Sequence, residues 1–205
     1  MYVMNTELNQ RVFISSSNKE FMENVLMIVG HPQWPMSFGN KIIAETFAEA
    51  NPSALISNLY LEYPDGKINV EEEQKKLLHA DTVVLQFPIE WYGAPSIMHK
   101  WFEDVLAYGF AFGHGGNKVQ GKRLIASFTS GTPADTYVEG GLQSYPMEYF
   151  MYPLIALANR CGMKWDGYVY TGGVMAAFAN DDQLKQIEQA CKNHAKRLID
   201  KIENK

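Results

Sequence analysis

Basic charge is scarce in this sequence and is nowhere gathered into a stripe. Its 18 lysines and arginines stand against 23 acids, for a formal net charge of −5. That balance argues against nucleic acid or an anionic membrane as the main partner. It is also a modest charge for a dedicated acidic electron carrier. Cysteine is nearly absent, with Cys161 and Cys191 alone. Their positions fit neither metal-ligand nor redox-motif spacing, so both are expected to be reduced, packed side chains of a cytoplasmic protein. No apolar run approaches the roughly 20 residues of a membrane-spanning helix. The first residues also lack the charged-then-apolar pattern of a signal peptide. The Gly-Lys-Ser/Thr of a Walker A loop is missing, and so is the Gly-x-Ser-x-Gly elbow of an α/β hydrolase. His79, His99, His114 and His194 have no acid or cysteine at metal-ligand spacing.

What is present is an ordinary globular composition, 46% hydrophobic over 205 residues, enough for one domain with a sizeable core. Residues 1–23 do not fit the later pattern and read as an N-terminal extension with no assigned function; residues 24–205 read as the domain. Five apolar runs predict strands at residues 25–29, 53–58, 82–87, 124–129 and 165–171. Helical patterns lie between them, and Asn69 and Asn180 are placed as N-caps. Residues 60–68 are expected to be irregular, and one helix is expected over residues 146–161 with a kink at Pro153. Strands alternating with helices predict an α/β, doubly wound parallel sheet of five strands with helices on both faces.

Three strand-end loops carry unusual content. Residues 31–40 run from His31 to a helix start at Ser37-Phe38-Gly39-Asn40, where backbone amides and the helix dipole suit a phosphate; an N-cap is the simpler role for Ser37 alone. Residues 88–94, Pro88-Ile89-Glu90-Trp91-Tyr92-Gly93-Ala94, set two aromatic side chains between prolines. They either cover the sheet edge or present flat apolar faces to a planar ring, with Gly93 letting the backbone turn. Thr129-Ser130-Gly131-Thr132 offers hydroxyls and amides able to stabilise charge on such a ring. Tyr137 follows with a phenol. Tyr108, Phe110 and Phe112 lie among glycines, where little local core can cover them, and so predict an interface.

The run Phe87-Pro88-Ile89-Glu90-Trp91-Tyr92-Gly93-Ala94-Pro95, followed by Lys100-Trp101-Phe102-Glu103 and Phe110-Ala111-Phe112-Gly113, resembles the NAD(P)H:quinone oxidoreductase family of the flavodoxin-like superfamily. The short bacterial members are the most similar, including the ancillary flavoproteins of glutathione-gated potassium efflux. His31-Pro32 with Ser37–Asn40 matches the family's first loop. Thr129-Ser130-Gly131-Thr132 matches its Thr-Thr-Gly-Gly loop except at Ser130 and Thr132.

The resemblance covers about residues 24–202. It implies a flavodoxin-like fold, a tightly held FMN or FAD, and a homodimer with the flavin at the subunit interface. It also implies hydride transfer from NADH or NADPH, then two electrons passed to a quinone or similar acceptor. By it, His31, Ser37, Phe38, Gly39 and Asn40 hold the phosphate end, while Pro88, Ile89, Glu90, Trp91, Tyr92, Thr129, Ser130, Gly131 and Thr132 surround the ring. Tyr137 falls at the place of a tyrosine that larger members use in hydride transfer; Gln143 replaces their histidine. The large C-terminal extension of the FAD enzymes is missing, which favours FMN. The alternative role that the resemblance suggests is a regulatory flavoprotein subunit of a potassium efflux system, in peripheral association with a membrane transporter.

Overall fold

The computed structural model describes residues 24–204, so the expected N-terminal extension lies outside the described residues. β1 (Val25–Val29), β2 (Leu55–Asn58), β3 (Thr82–Pro88), β4 (Arg123–Thr129) and β5 (Lys164–Thr171) form one sheet in the order β2-β1-β3-β4-β5. All four pairings are parallel, so the strands are joined by crossovers that carry helices. These are α1 (Gly39–Ala50), α2 (Leu59–Glu62), α3 (Val70–His79), α4 (Ser96–Val105), α5 (Tyr152–Arg160) and α6 (Asp181–Glu203).

A parallel sheet must bury both faces, and alternation along each strand divides the work. Leu26, Ile28, Val83, Leu85, Phe87 and Phe128 pack with Leu77 of α3, Met98 and Trp101 of α4 and Leu154 of α5. Met27, Val29, Val84 and Ile125 pack on the other side with Ile43 and Phe47 of α1 and Ala195 and Leu198 of α6. The two cysteines are buried and unpaired, one in each layer. Burial pushes the Cys191 thiol up to about 11.

One charged group sits inside the α3 layer. Glu73 is fully buried. It accepts from Ser57 Oγ (2.9 Å), Tyr63 Oη (2.9 Å), Trp101 Nε1 (2.8 Å) and Lys76 Nζ (2.5 Å). A buried carboxylate is tolerated only when paired and hydrogen-bonded, and here the partners come from β2, the turn after α2, α4 and α3 itself. This strut fixes α4, the helix that follows the aromatic loop.

Several expectations are corrected. Residues 146–161 are not one kinked helix. A 3₁₀ turn, Met147–Met151, precedes α5, and Pro153 sits in the first turn of α5, where its missing N–H leaves no bond unmade. The stretch expected to be irregular contains the short α2, capped by Asn58 Oδ1 accepting from Leu61 N. Of the aromatic loop expected to lie open, only Tyr108 is exposed. Phe110 and Phe112 pack against the core, and the Arg160 guanidinium lies over the Phe112 ring at 4.9 Å. Asn69 and Asn180 do cap their helices, Asn180 in a reciprocal box with Gln183.

Candidate functional site

The strand order reverses between β1 and β3, so the chain leaves their carboxyl ends in opposite directions and opens a crevice there. The first wall is the loop from His31 to Asn40. Ser37 does not cap α1: Phe38 occupies the N-cap position, and the Ser37 hydroxyl is buried with no hydrogen-bond partner among the described residues. The first backbone bond into α1 runs from Ile42 N to Phe38 O. The amides of Phe38, Gly39, Asn40 and Lys41 are therefore open, as at any helix start. His31 Nδ1 accepts from Gln33 N (3.1 Å), which leaves Nε2 to carry the proton of the neutral ring. Burial lowers the His31 pKa, so the neutral form prevails. A buried hydroxyl, four amides, the positive end of a helix and an imidazole N–H make a set of donors suited to an anion such as phosphate. Gly39 serves packing: a Cβ there would meet Val174 Cγ1 at 2.3 Å.

The second wall is the loop after β3. Glu90 and Gly93 exchange both backbone bonds, at 2.9 and 3.0 Å. The two residues between them, Trp91 (φ 46°) and Tyr92 (φ 66°), both lie in the left-handed region. The turn is thus made by the aromatics themselves and not by Gly93, whose φ is not positive. Two central residues at positive φ are the mark of the type I′ hairpin turn, where Asn-Gly is the usual pair. Placing large side chains there stores strain. Trp91 is 97% exposed, so packing does not compensate it, whereas Tyr92 stacks on Phe150 with centroids 5.1 Å apart.

The third wall is the loop after β4. Ser130 Oγ donates to Thr132 O (2.7 Å) and accepts from Tyr170 Oη (2.6 Å), while Ser130 N bonds Thr171 O. Ser130 therefore shapes the loop and retains no free donor. Thr129 keeps its hydroxyl proton, and the Gly131 and Thr132 amides have no acceptor among the described residues. Tyr137 is buried, its phenol meeting Thr132 Oγ1 at 3.0 Å and its ring edge-on to Phe150 and Tyr170. Gln143 lies half-buried further along, its backbone N–H donating to Thr136 O.

These three walls are tied together underneath. Ile89 N donates to Thr129 O (2.7 Å), Asn40 Nδ2 to Thr129 Oγ1 (3.0 Å) and Gln86 Nε2 to Asn40 Oδ1 (2.6 Å). Gln86 in turn accepts from Ser127 Oγ (2.6 Å), whose oxygen meets His194 Nε2 (2.8 Å). His194 Nδ1 meets Thr171 Oγ1 (2.9 Å), which also receives Arg197 Nη2 (2.8 Å). His194 is fully buried, and burial, assisted by the Arg197 charge, drives its pKa down to about 3. It is a neutral ring at any ordinary pH.

Every sequence-predicted residue lies in or directly beside one of three adjoining loops at the same sheet edge: Pro88 ends β3, Thr129 ends β4, and Gly39 and Asn40 open α1. Asn40 differs from expectation in turning its side chain inward to the network. Sequence reasoning missed a fourth segment, the loop after β5: Gly173 N bonds Thr132 O, Val174 N bonds Ser130 O, and a Cβ on Gly131 would meet the Met175 methyl at 2.5 Å. The pair Gly172-Gly173 directly after an apolar strand was the available signal. This loop also lines an open groove of about 480 Å³ with Phe178, Gln183 and Ile187; among the described residues its wall carries no charged side chain, so it suits a phosphate less well than the first loop does.

A five-stranded parallel sheet in this order, with a donor-rich first loop and an aromatic second loop at one edge, defines the class as a doubly wound α/β fold. The particular family follows from comparison: the chain belongs to the family described as flavodoxin-like fold, whose model matches residues 23–197. The KefF ancillary protein of the glutathione-regulated potassium-efflux system of Klebsiella pneumoniae is 35% identical over 176 residues, covering 86% of this chain and 95% of its own. The crystal structure of general stress protein 14 from Treponema denticola in complex with FMN is similar, with a TM-score of 0.78 and 25% identity, covering 87% of this chain and 99% of that one. An NADPH-quinone reductase from P. pentosaceus is similar with a TM-score of 0.70 and 25% identity, over 84% of this chain and 97% of its own. Among the described residues no helix is long and apolar enough to cross a membrane.

Proposed function

We propose that this protein is a flavin-dependent NAD(P)H oxidoreductase that binds FMN at the three-loop rim. The observation that carries this reading is the buried, unpartnered Ser37 hydroxyl beside the open amides of Phe38 to Lys41. Such a hydroxyl costs free energy until an acceptor reaches it, and the terminal phosphate of FMN supplies acceptors there. The likeness to an FMN complex and to an NADPH-quinone reductase supports the same assignment.

The chemistry that FMN would supply there is two-electron transfer, with a hydride accepted from NADH or NADPH and two electrons passed to a quinone or similar acceptor. The chain does the rest. His31 Nε2–H, the Ser37 hydroxyl and the α1 amides hold the phosphate. Ile89, Glu90 and the Trp91-Tyr92 turn present a stiff aromatic edge to the ring, between Pro88 and Pro95. The Thr129 hydroxyl and the Gly131 and Thr132 amides, which have no acceptor among the described residues, would be the donors available to the ring. Tyr137, through Thr132 Oγ1, supplies a phenol at the far end of that loop.

The acting unit is a homodimer. Tyr145, Tyr149 and Tyr152 are exposed and lie in a row with centroids 6.0 and 5.9 Å apart. Phe150, in the same turn as Tyr149, carries Tyr92, so this apolar patch is continuous with the rim. A second copy closing over it would shield both from water.

Mass spectrometry of the cofactor released from purified protein tests the reading. FMN is expected; a protein that takes up neither FMN nor FAD on reconstitution would sink it. The similarity to KefF favours a second role, regulation of a potassium-efflux membrane protein, which copurification of such a partner would support.

A further inference from the structure

The polar chain beneath the rim has a direction. Arg197 can only donate, and it donates to Thr171 Oγ1. Thr171 then gives its own proton to His194 Nδ1, and His194 Nε2–H goes to Ser127 Oγ. The Ser127 proton goes to Gln86 Oε1, the Gln86 amide to Asn40 Oδ1, and the Asn40 amide to Thr129 Oγ1. Run in reverse, the same chain would leave the Thr171 proton without an acceptor, so the arginine sets the sense. At the other end Thr129, 2% exposed, has a lone pair engaged and its proton left over, with no acceptor among the described residues. It stands at the carboxyl end of β4 against Ile89.

We infer that His194 and Arg197 are positioning residues which, through this chain, hold the Thr129 hydroxyl as a donor to an electron-rich atom of the flavin ring. The inference rests on the flavin reading above. A hydroxyl carries one proton and two lone pairs; here the Asn40 amide takes one lone pair, and the proton, with no acceptor among the described residues, is the group left for the rim. A donor so placed favours the ring form with more negative charge, the two-electron-reduced one. The neutral state of His194 is a condition of the device, since a doubly protonated ring would have no lone pair for Thr171.

Two measurements decide it. The first needs no flavin: ¹⁵N NMR of histidine-labelled protein reads the tautomer of each ring. His194 is expected as the neutral Nε2–H form at neutral pH; an Nδ1–H or charged ring overturns the inference. The second compares the affinities of oxidised and reduced FMN. Thr129→Val should lower the ratio of reduced to oxidised affinity about tenfold, the scale of a lost hydrogen bond to a charged group. Thr171→Val, which breaks the chain away from the rim, should move the ratio the same way, and Thr171→Ser should restore it. The two valine changes together should cost little more than Thr129→Val alone, since they interrupt one device. A wild-type ratio in both valine variants of a flavin-binding protein overturns the positioning role alone. Wild-type protein that binds no flavin overturns the flavin reading and this role of Thr129 with it.

Discussion

Trp91 is strained and gains nothing in the flavin-free fold from being so. Its backbone is left-handed, φ 46°, and its side chain is 97% exposed. Left-handed backbone costs an ordinary residue about 1–2 kcal/mol, whereas asparagine tolerates it. Trp91→Asn therefore relieves the turn without removing core contacts, and flavin-free protein should become about 1 kcal/mol more stable. For a domain of this size that raises Tm by roughly 2–4 °C. Trp91→Ala keeps a side chain that dislikes this conformation and should leave stability within about 0.5 kcal/mol of wild type. Both variants lose the aromatic face, so both should hold FMN less tightly, by about tenfold if stacking on a ring is worth the 1–3 kcal/mol it contributes per nucleic-acid base. Tyr92 is a poorer probe, because its stacking on Phe150 would be lost as well. Urea unfolding of the flavin-free variants, with FMN titration alongside, checks both signs. A less stable Trp91→Asn protein, or unaltered FMN affinity in both variants, would refute the argument that the strain is held for the ligand.

Three other expectations follow from the buried polar groups. Glu73→Ala leaves the Ser57, Tyr63 and Trp101 donors unpaired beside a half-buried Lys76, and should destabilise by about 3–5 kcal/mol in urea melts; a loss below about 1 kcal/mol would show the strut to be dispensable. His194 has a folded pKa of about 3 against 6.5 when exposed. The unfolded chain alone takes up that proton, so this contribution to stability is complete above pH 6.5 and declines on acidification at up to about 1.4 kcal/mol per pH unit. His194→Gln should remove that part of the slope between neutral and mildly acidic pH, and equal slopes in variant and wild type would mean the ring is not buried neutral. Tyr137→Phe takes away one hydrogen bond at Thr132 and should slow flavin reduction, reoxidation or both by about tenfold to a hundredfold without releasing FMN. Stopped-flow rates at the wild-type level for both half-reactions would remove Tyr137 from the mechanism.

Light scattering bears on the assembly: a mass of 23.2 kDa at micromolar concentration would reject the homodimer. Parallel steady-state plots are expected if nicotinamide and quinone use one open face in turn.

Much of the fold was legible because it depends on local pattern. Continuous apolar runs such as Val25–Val29 admit no solvated face, so a sheet covered on both sides follows from them directly. Asn69 and Asn180 cap helices through amides three residues away, a distance over which sequence is geometry. The three rim loops were visible for the same reason: each follows an apolar strand, and parallel strands put all such loops at one edge. Tertiary structure decided what lies beneath them. Glu73 reads as one of three acids in a helix's first turn, and only the approach of Ser57 and Trp101, 16 and 28 residues distant, makes it a buried strut. His194 reads as a lone histidine until Ser127, 67 residues away, meets its Nε2. Ser37 reads as a cap until the fold buries its hydroxyl with no partner among the described residues. Short-range backbone preference is written residue by residue. The protonation and hydrogen-bonding role of a polar side chain depends on its neighbours in space, and those are settled only when the layers close.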